Sequence, residues 1–361
     1  MSTVAIVGAT GFVGTALTLQ LLDRGHHVSA LSRRPDRWPL QHHDLKVHRG
    51  DLLDGKALQL VLKGADAAYY LVHGLAEDDE DFEWAESRAA TSFVQAAIRA
   101  KVRRVIFLGA LGPEQDASQH LRSRHLVGDI LGLLPGICVE FRASIVLGAN
   151  STSFEMIKAL HQRLPVRPYA PWLETPCQPI ALDDLLQYLL AALDLQGEGH
   201  HVVDIGAPEV VSYGELLDIY GRMDGQTRTK FLLPAMDQRL LLPTLDLVLP
   251  EFSVIGKKLF LSLVHPTVVE DAEASTLFPE IKPMSLDEAM RRAYQESKTH
   301  YPAVWEGDFW KELRDQTVLQ TRHGQQLLLD KLRELTESTP LTAVGKLKKR
   351  LTGKLKRKSH G

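Results

Sequence analysis

The chain has 361 residues, 44% hydrophobic and 24% charged, a composition that excludes disordered and fibrous classes. Its two cysteines, Cys138 and Cys177, exclude a disulfide framework and stand in no metal-type spacing, so a reducing, cytoplasmic setting without a metal is expected. The net charge of −3 conceals an acidic body: eight basic residues and no acid lie between Lys346 and Lys358, and the rest of the chain carries −11.

The first apolar run, 3–7, leads into Gly8-Ala9-Thr10-Gly11-Phe12-Val13-Gly14, and a helical pattern covers 13–24. Strand, glycine turn and helix in that order open a nucleotide-binding βαβ unit. Gly8 is expected to make the tight turn and Gly11 to let the backbone approach a pyrophosphate. Gly14 then lets the helix pack close to the strand. The phosphates would rest on the unsatisfied N–H groups of the helix start, along Thr10 to Gly14. This opening has neither the basic nor the apolar region of a secretory signal.

Strand-like runs recur at 27–31, 45–48, 66–72, 103–108 and 137–142, with helical patterns at 55–63, 80–100 and 118–133. This alternation predicts an α/β fold, a doubly wound parallel (Rossmann) sheet, over residues 1–150. Helix 182–194 and strand 201–205 extend the scaffold to about 206. The second strand ends in Ser32-Arg33-Arg34, with no acid before Asp36. An acid there would bind a ribose 2′-hydroxyl, whereas an arginine accommodates a 2′-phosphate. NADP(H) is therefore expected over NAD(H), with Arg33 or Arg34 on the phosphate. Asp51, before Leu52, meets the adenine amino group or caps a helix. The fourth strand ends Tyr70-Leu71-Val72-His73-Gly74, which puts Leu71, Val72 and His73 beside the nicotinamide half.

Beyond Gly148 the pattern loosens, with prolines at 165, 168, 171, 176 and 179. Residues 151–300 are expected to form a smaller substrate or partner lobe over the cofactor edge. Its apolar stretch 231–264 reads as lobe core or dimer surface, or as a pocket or membrane-resting face for a lipophilic substrate such as a quinone. No uncharged run is long enough to span a bilayer. A helical extension, 301–340, precedes a basic tail, 341–361, in which Val344, Leu347, Leu351 and Leu355 recur at helical spacing. A surface helix on anionic lipid and a disordered solubilising tail both fit this pattern. The tail has no aromatic residue for stacking on bases, so no specific nucleic acid is expected.

Several motifs together resemble an atypical short-chain dehydrogenase/reductase. They are the glycine triplet, Asp51-Leu52, Tyr70 to His73, Arg104 to Gly109, and Phe141-Arg142-Ala143-Ser144. That group includes NmrA-like regulators and the NADPH-binding accessory subunit of respiratory complex I. His120 to Arg124, Ser153-Phe154-Glu155 and Gln178-Pro179-Ile180 add a likeness to nucleoside-diphosphate-sugar-epimerase-like proteins. The resemblance covers about residues 1–300.

The resemblance implies a catalytic Ser, Tyr and Lys, and this chain departs from all three. Gly109-Ala110 stands at the serine position, and the best register lays His120 over the tyrosine and Arg124 over the lysine. The intact Tyr294-X3-Lys298 lies outside the nucleotide-binding unit. A His near its ordinary pKa would exchange a proton at neutral pH, which makes His120 a replacement acid and His73 a second candidate. Arg124 would hold the nicotinamide ribose or a substrate anion. Ser118 supplies the lost hydroxyl or caps a helix.

Two functional readings follow. One is an NADPH-dependent oxidoreductase of a small or lipophilic carbonyl or quinone, with His120 as proton donor. The other is a non-catalytic NADP(H)-binding redox sensor or assembly protein. A sugar-nucleotide epimerase is disfavoured, because it relies on the missing Tyr–Lys pair. If Arg33 meets a 2′-phosphate, Arg33→Ala weakens NADPH binding about tenfold and leaves NADH nearly unchanged in parallel titrations. Equal losses for both would refute the assignment.

Overall fold

A computed structural model describes residues 1–73, 82–164, 166–232, 238–242, 245, 248, 249 and 252–298. Gly74, the helical extension 301–340 and the basic tail 341–361 lie outside the described residues.

Seven strands form one wholly parallel sheet: β1 (Thr3–Val7), β2 (His27–Ser32), β3 (Leu45–Arg49), β4 (Ala67–Tyr70), β5 (Arg104–Ala110), β6 (Ile137–Ala143) and β7 (Gly199–Ile205). Their order across the sheet is β7-β6-β5-β4-β1-β2-β3. The order reverses between β1 and β4, so the crevice for a ligand opens at the C-terminal ends of those two strands. In register, Val7 faces Leu31 on one side and Tyr70 on the other.

Both faces of the sheet are covered, which is why its strands read as apolar runs rather than alternating ones. On one face α1 (Phe12–Asp23) and α6 (Leu182–Ala191) pack over Ile6, Val139 and Val203. On the other, α2 (Gly55–Leu62), α3 (Phe82–Ala100) and α4 (Gln119–Leu131) cover Ala5, Tyr70 and Phe107. Asp54 caps α2 by accepting from the Lys56 and Ala57 N–H groups, and Ser118 caps α4 at Leu121.

The remaining elements build a lobe over the strand C-termini. They are α5 (Thr152–Arg163), α7 (Tyr213–Met223), α8 (Ser253–Ser262) and α10 (Leu286–Lys298), tied by three two-stranded pairs. One lobe core gathers Phe154, Cys177, Tyr220 and Met290; another gathers Ala159, Leu245, Phe252 and Phe260. The chain does not simply leave the sheet for the lobe. It enters with α5, returns for α6 and β7, re-enters with α7, and returns through the short helix α9 (Glu273–Leu277). Phe278, just after α9, packs against Phe141 and Tyr188 in the sheet layer.

The tightest packing lies at the first turn. A Cβ on Gly14 would stand 2.1 Å from the Gly8 carbonyl oxygen and 2.8 Å from the Ala9 Cα, both backbone atoms that cannot move aside. Gly14→Ala is therefore expected to cost about 1–3 kcal/mol, read as a lowered urea midpoint at constant slope. An unchanged midpoint would show that α1 does not rest on this turn.

Candidate functional site: the strand-end crevice and its cavity

The glycine turn is built for an anion. Gly8 has φ +85°, and a Cβ there would stand 2.6 Å from the Leu71 carbonyl, so only glycine lets β1 and the β4 exit approach this closely. Gly11 is the N-cap of α1 and offers no side-chain cap, and the first turn holds no acid. The helix start thus keeps its partial positive charge for a ligand. Thr10 and Gly11 are exposed there, and Phe12 and Val13 are half-buried. The cradle fits a dinucleotide pyrophosphate.

Arg33 and Arg34 are exposed just past β2. Asp51 turns out to shape its own loop: Oδ1 accepts from the Leu53 and Asp54 N–H groups at 2.8 and 3.2 Å. It prepares the entry to α2, while Asp54 is the actual cap. Leu52 is buried against that helix. Leu71, Val72 and His73 continue from β4 along the crevice; Leu71 donates its N–H to Val7, and its backbone meets Gly8.

At the centre of the crevice lies a buried network the sequence reading did not anticipate. The Arg124 side chain is 2% exposed. Its Nη2 donates to the Leu108 carbonyl at 2.6 Å, and its Nη1 to the Val72 carbonyl at 3.1 Å and to Glu86 Oε1 at 3.4 Å. The guanidinium also lies over the Phe107 ring, 4.6 Å from its centroid. Glu86 in turn accepts from Ser123 Oγ at 2.5 Å. Arg124 is therefore committed to the protein's own backbone, which corrects the expectation of a ribose or substrate contact. Glu86, which no motif marks, is its counter-ion.

His120 and His73 stack with ring centroids 4.9 Å apart and planes 15° apart. His120 is 9% exposed, and its Nδ1 has no hydrogen-bond partner among the described residues. Burial first, then the charges of Arg124 and Lys258, push its pKa down from 6.5 to about 3. His73 is shifted well down by desolvation, Arg124, His120 and Lys258. Both imidazoles are neutral at pH 7, so neither is the readily protonated acid expected from the ordinary value. Ser118 is a cap, and its Oγ pairs with Ser262 Oγ at 2.9 Å across to the lobe. The Tyr294 hydroxyl donates to Asp224 at 3.0 Å within the lobe, far in connectivity from the crevice.

His120 also lines a cavity of about 250 Å³ between the strand ends and the lobe. Ala110 at the end of β5 and Ser144 just past β6 line it on the side of the sheet. Its far walls are apolar, from Met156 and Leu160 to Trp172, Leu245 and Phe260. No Asp, Glu, Lys or Arg is among the described residues that line it.

Residues 8–131 match the NAD(P)H-binding family. The match falls on the first strands and helices of the Rossmann-type sheet. The chain is 30% identical over 118 residues to cinnamoyl-CoA reductase 2 of Arabidopsis thaliana, covering 30% of this chain and 35% of that one. It is 33% identical over 117 residues to an anthocyanidin reductase of Vitis vinifera, covering 29% and 35%. The chain thus matches only about a third of the length of these curated relatives. Solved structures share the fold more widely. An epimerase from Methanothermobacter thermautotrophicus superposes with a TM-score of 0.64 at 14% identity, over 87% of this chain and 95% of that one. A Bordetella bronchiseptica enzyme in complex with NAD+ gives 0.61 at 17%, over 83% and 99%. MoeE5 in complex with UDP-glucose and NAD gives 0.61 at 17%, over 82% and 98%.

The depressed His120 pKa fixes the sign of a stability effect. Between about 3 and 6.5 the unfolded chain binds a proton that the folded protein refuses. Stability is complete above that window and falls as pH drops through it, with His73 acting in the same sense. His120→Phe is expected to flatten this fall by about one proton in urea midpoints taken across the window. An unaltered slope would mean that His120 titrates normally.

Proposed function

We propose that the protein is an NADPH-dependent reductase of a lipophilic carbonyl, enone or quinone. The observation that carries this reading is the junction of cavity and crevice. Ala110, His120 and Ser144 line the largely apolar chamber at the strand edge where the β1–β4 switch point would receive a dinucleotide. Gly8, Gly11 and Gly14 would cradle the pyrophosphate, and Arg33 and Arg34 support the phosphorylated cofactor over NAD(H). Bound NADPH supplies a hydride to the electrophilic carbon of the substrate.

The chain's own residues do the rest. The neutral His120 imidazole offers an N–H to the oxygen on which negative charge develops. The proton that completes the product comes from solvent, because an imidazole shifted this far down carries no spare proton at pH 7. Arg124 and Glu86 are positioning residues that hold the strand ends at which these groups meet. The distant reductase relatives support hydride chemistry. The uncharged described lining does not suit a nucleotide sugar, whose diphosphate calls for cationic partners.

The second reading, NADP(H) binding without turnover, is favoured by the missing Ser, Tyr and Lys. A single-turnover experiment separates the two. Protein loaded with NADPH is mixed with quinones, enones and aldehydes while the nicotinamide absorbance is followed. Oxidation is expected, slowed about 100- to 1,000-fold by His120→Phe. Tight NADPH binding with no oxidation by any acceptor would overturn the reductase reading in favour of a redox sensor or assembly protein.

A further inference from the structure

Three hydroxyl groups from distant parts of the chain converge in the largely apolar cavity, apart from the other polar lining residues His120, Ser153 and Ser262. Ser144 follows β6, Tyr213 opens α7, and Thr267 lies beyond α8. Ser144 Oγ and Thr267 Oγ1 are 2.6 Å apart, and the Tyr213 hydroxyl is 3.2 Å from Thr267 Oγ1. Burial pushes the Tyr213 pKa up from 10.0 to about 12, so all three groups keep their protons at pH 7.

The trio is held rigidly. The Thr267 N–H donates to the Pro176 carbonyl at 3.1 Å, and its own carbonyl accepts from Gln178 at 2.9 Å. Tyr213 follows the capping box in which Ser212 and Glu215 satisfy each other's backbone N–H groups. A packing role alone would be met as well by Ala, Phe and Val, without hydroxyls in an apolar wall. Each hydroxyl has one proton and two lone pairs, and the proton rotates. Two of the three protons serve the two links centred on Thr267, so one is left to donate to a ligand oxygen. Lone pairs remain to accept from a ligand hydroxyl. One cluster thus holds a carbonyl oxygen and the alcohol oxygen formed from it.

We infer that Ser144, Tyr213 and Thr267 anchor an oxygen of an uncharged, apolar ligand whose hydrocarbon part fills the chamber towards Trp172 and Phe260. This inference deepens the reductase reading and takes its substrate class from it. The anchor is a binding determinant, distinct from the hydrogen bond offered by His120.

The test uses binding alone, so it stands even if no turnover is found. The full chain, saturated with NADP+, is titrated calorimetrically with 2-octanone, 2-octanol, octane and UDP-glucose. Octanone and octanol are expected to bind about tenfold more tightly than octane, and UDP-glucose not to compete. Tyr213→Phe and the double variant Ser144→Ala/Thr267→Val are expected to bring octanone and octanol to the octane level. Unchanged octane affinity in those variants reports an intact chamber. The inference is overturned if octanone does not bind the unaltered protein, or if the variants leave its advantage over octane in place. It is overturned equally if ketone and alkane lose affinity together, or if UDP-glucose displaces octanone. Absent NADPH oxidation beside a preserved octanone preference would instead count against the reductase reading alone.

Discussion

The crevice rests on one buried cation. Parallel strands end with carbonyl groups that have no next residue to pair with, and at a water-poor sheet edge those acceptors are costly to leave unmet. Arg124 satisfies two of them, at Val72 and Leu108, with a guanidinium that is itself nearly inaccessible and balanced by Glu86. Removing the arginine would strand two acceptors and a buried carboxylate together, a loss characteristic of broken buried pairs rather than of surface charges. The exits of β4 and β5 are thereby fixed relative to α3 and α4.

From that constraint the character of the site follows. Desolvation first, and then the permanent charge of Arg124, keep both His120 and His73 neutral. The crevice therefore presents polarity without titration near neutral pH. The chamber beyond it continues the same theme, with hydroxyls as its polar groups and hydrocarbon walls. A cofactor cradle that favours anions thus adjoins a chamber that, in its described lining, offers them nothing. The two halves of the site sort their ligands by opposite electrostatics.

What the sequence revealed depended on the range of the signal. The glycine triplet and the seven strands were legible because each is a local pattern: a turn requirement at Gly8, an apolar run, a helical period. The parallel sheet follows from their alternation. The partners of Arg124 in the structure are not legible from its place on the helix. Those partners lie 16, 38 and 52 residues away, and no spacing rule couples them. The hydroxyl trio was hidden for the same reason, because Ser144 and Thr267 are 123 residues apart. His120 illustrates a different limit. Its place was legible, but its protonation is set by burial, which a linear pattern does not report.

The repeated passage of the chain between sheet and lobe has a consequence for its synthesis. The face of the sheet formed by α1 and β6 stays incomplete until Phe278 leaves the ribosome, although its first strand was made more than two hundred residues earlier. The nucleotide-binding half therefore cannot mature as an independent N-terminal unit while the rest is still being translated, as successive domains do in beads-on-a-string proteins. A nascent chain stalled near β6 would carry β6 as an open edge, because β7 is not yet made, with apolar residues bare beside it. Such an intermediate is the form of this protein most exposed to aggregation and most dependent on chaperones.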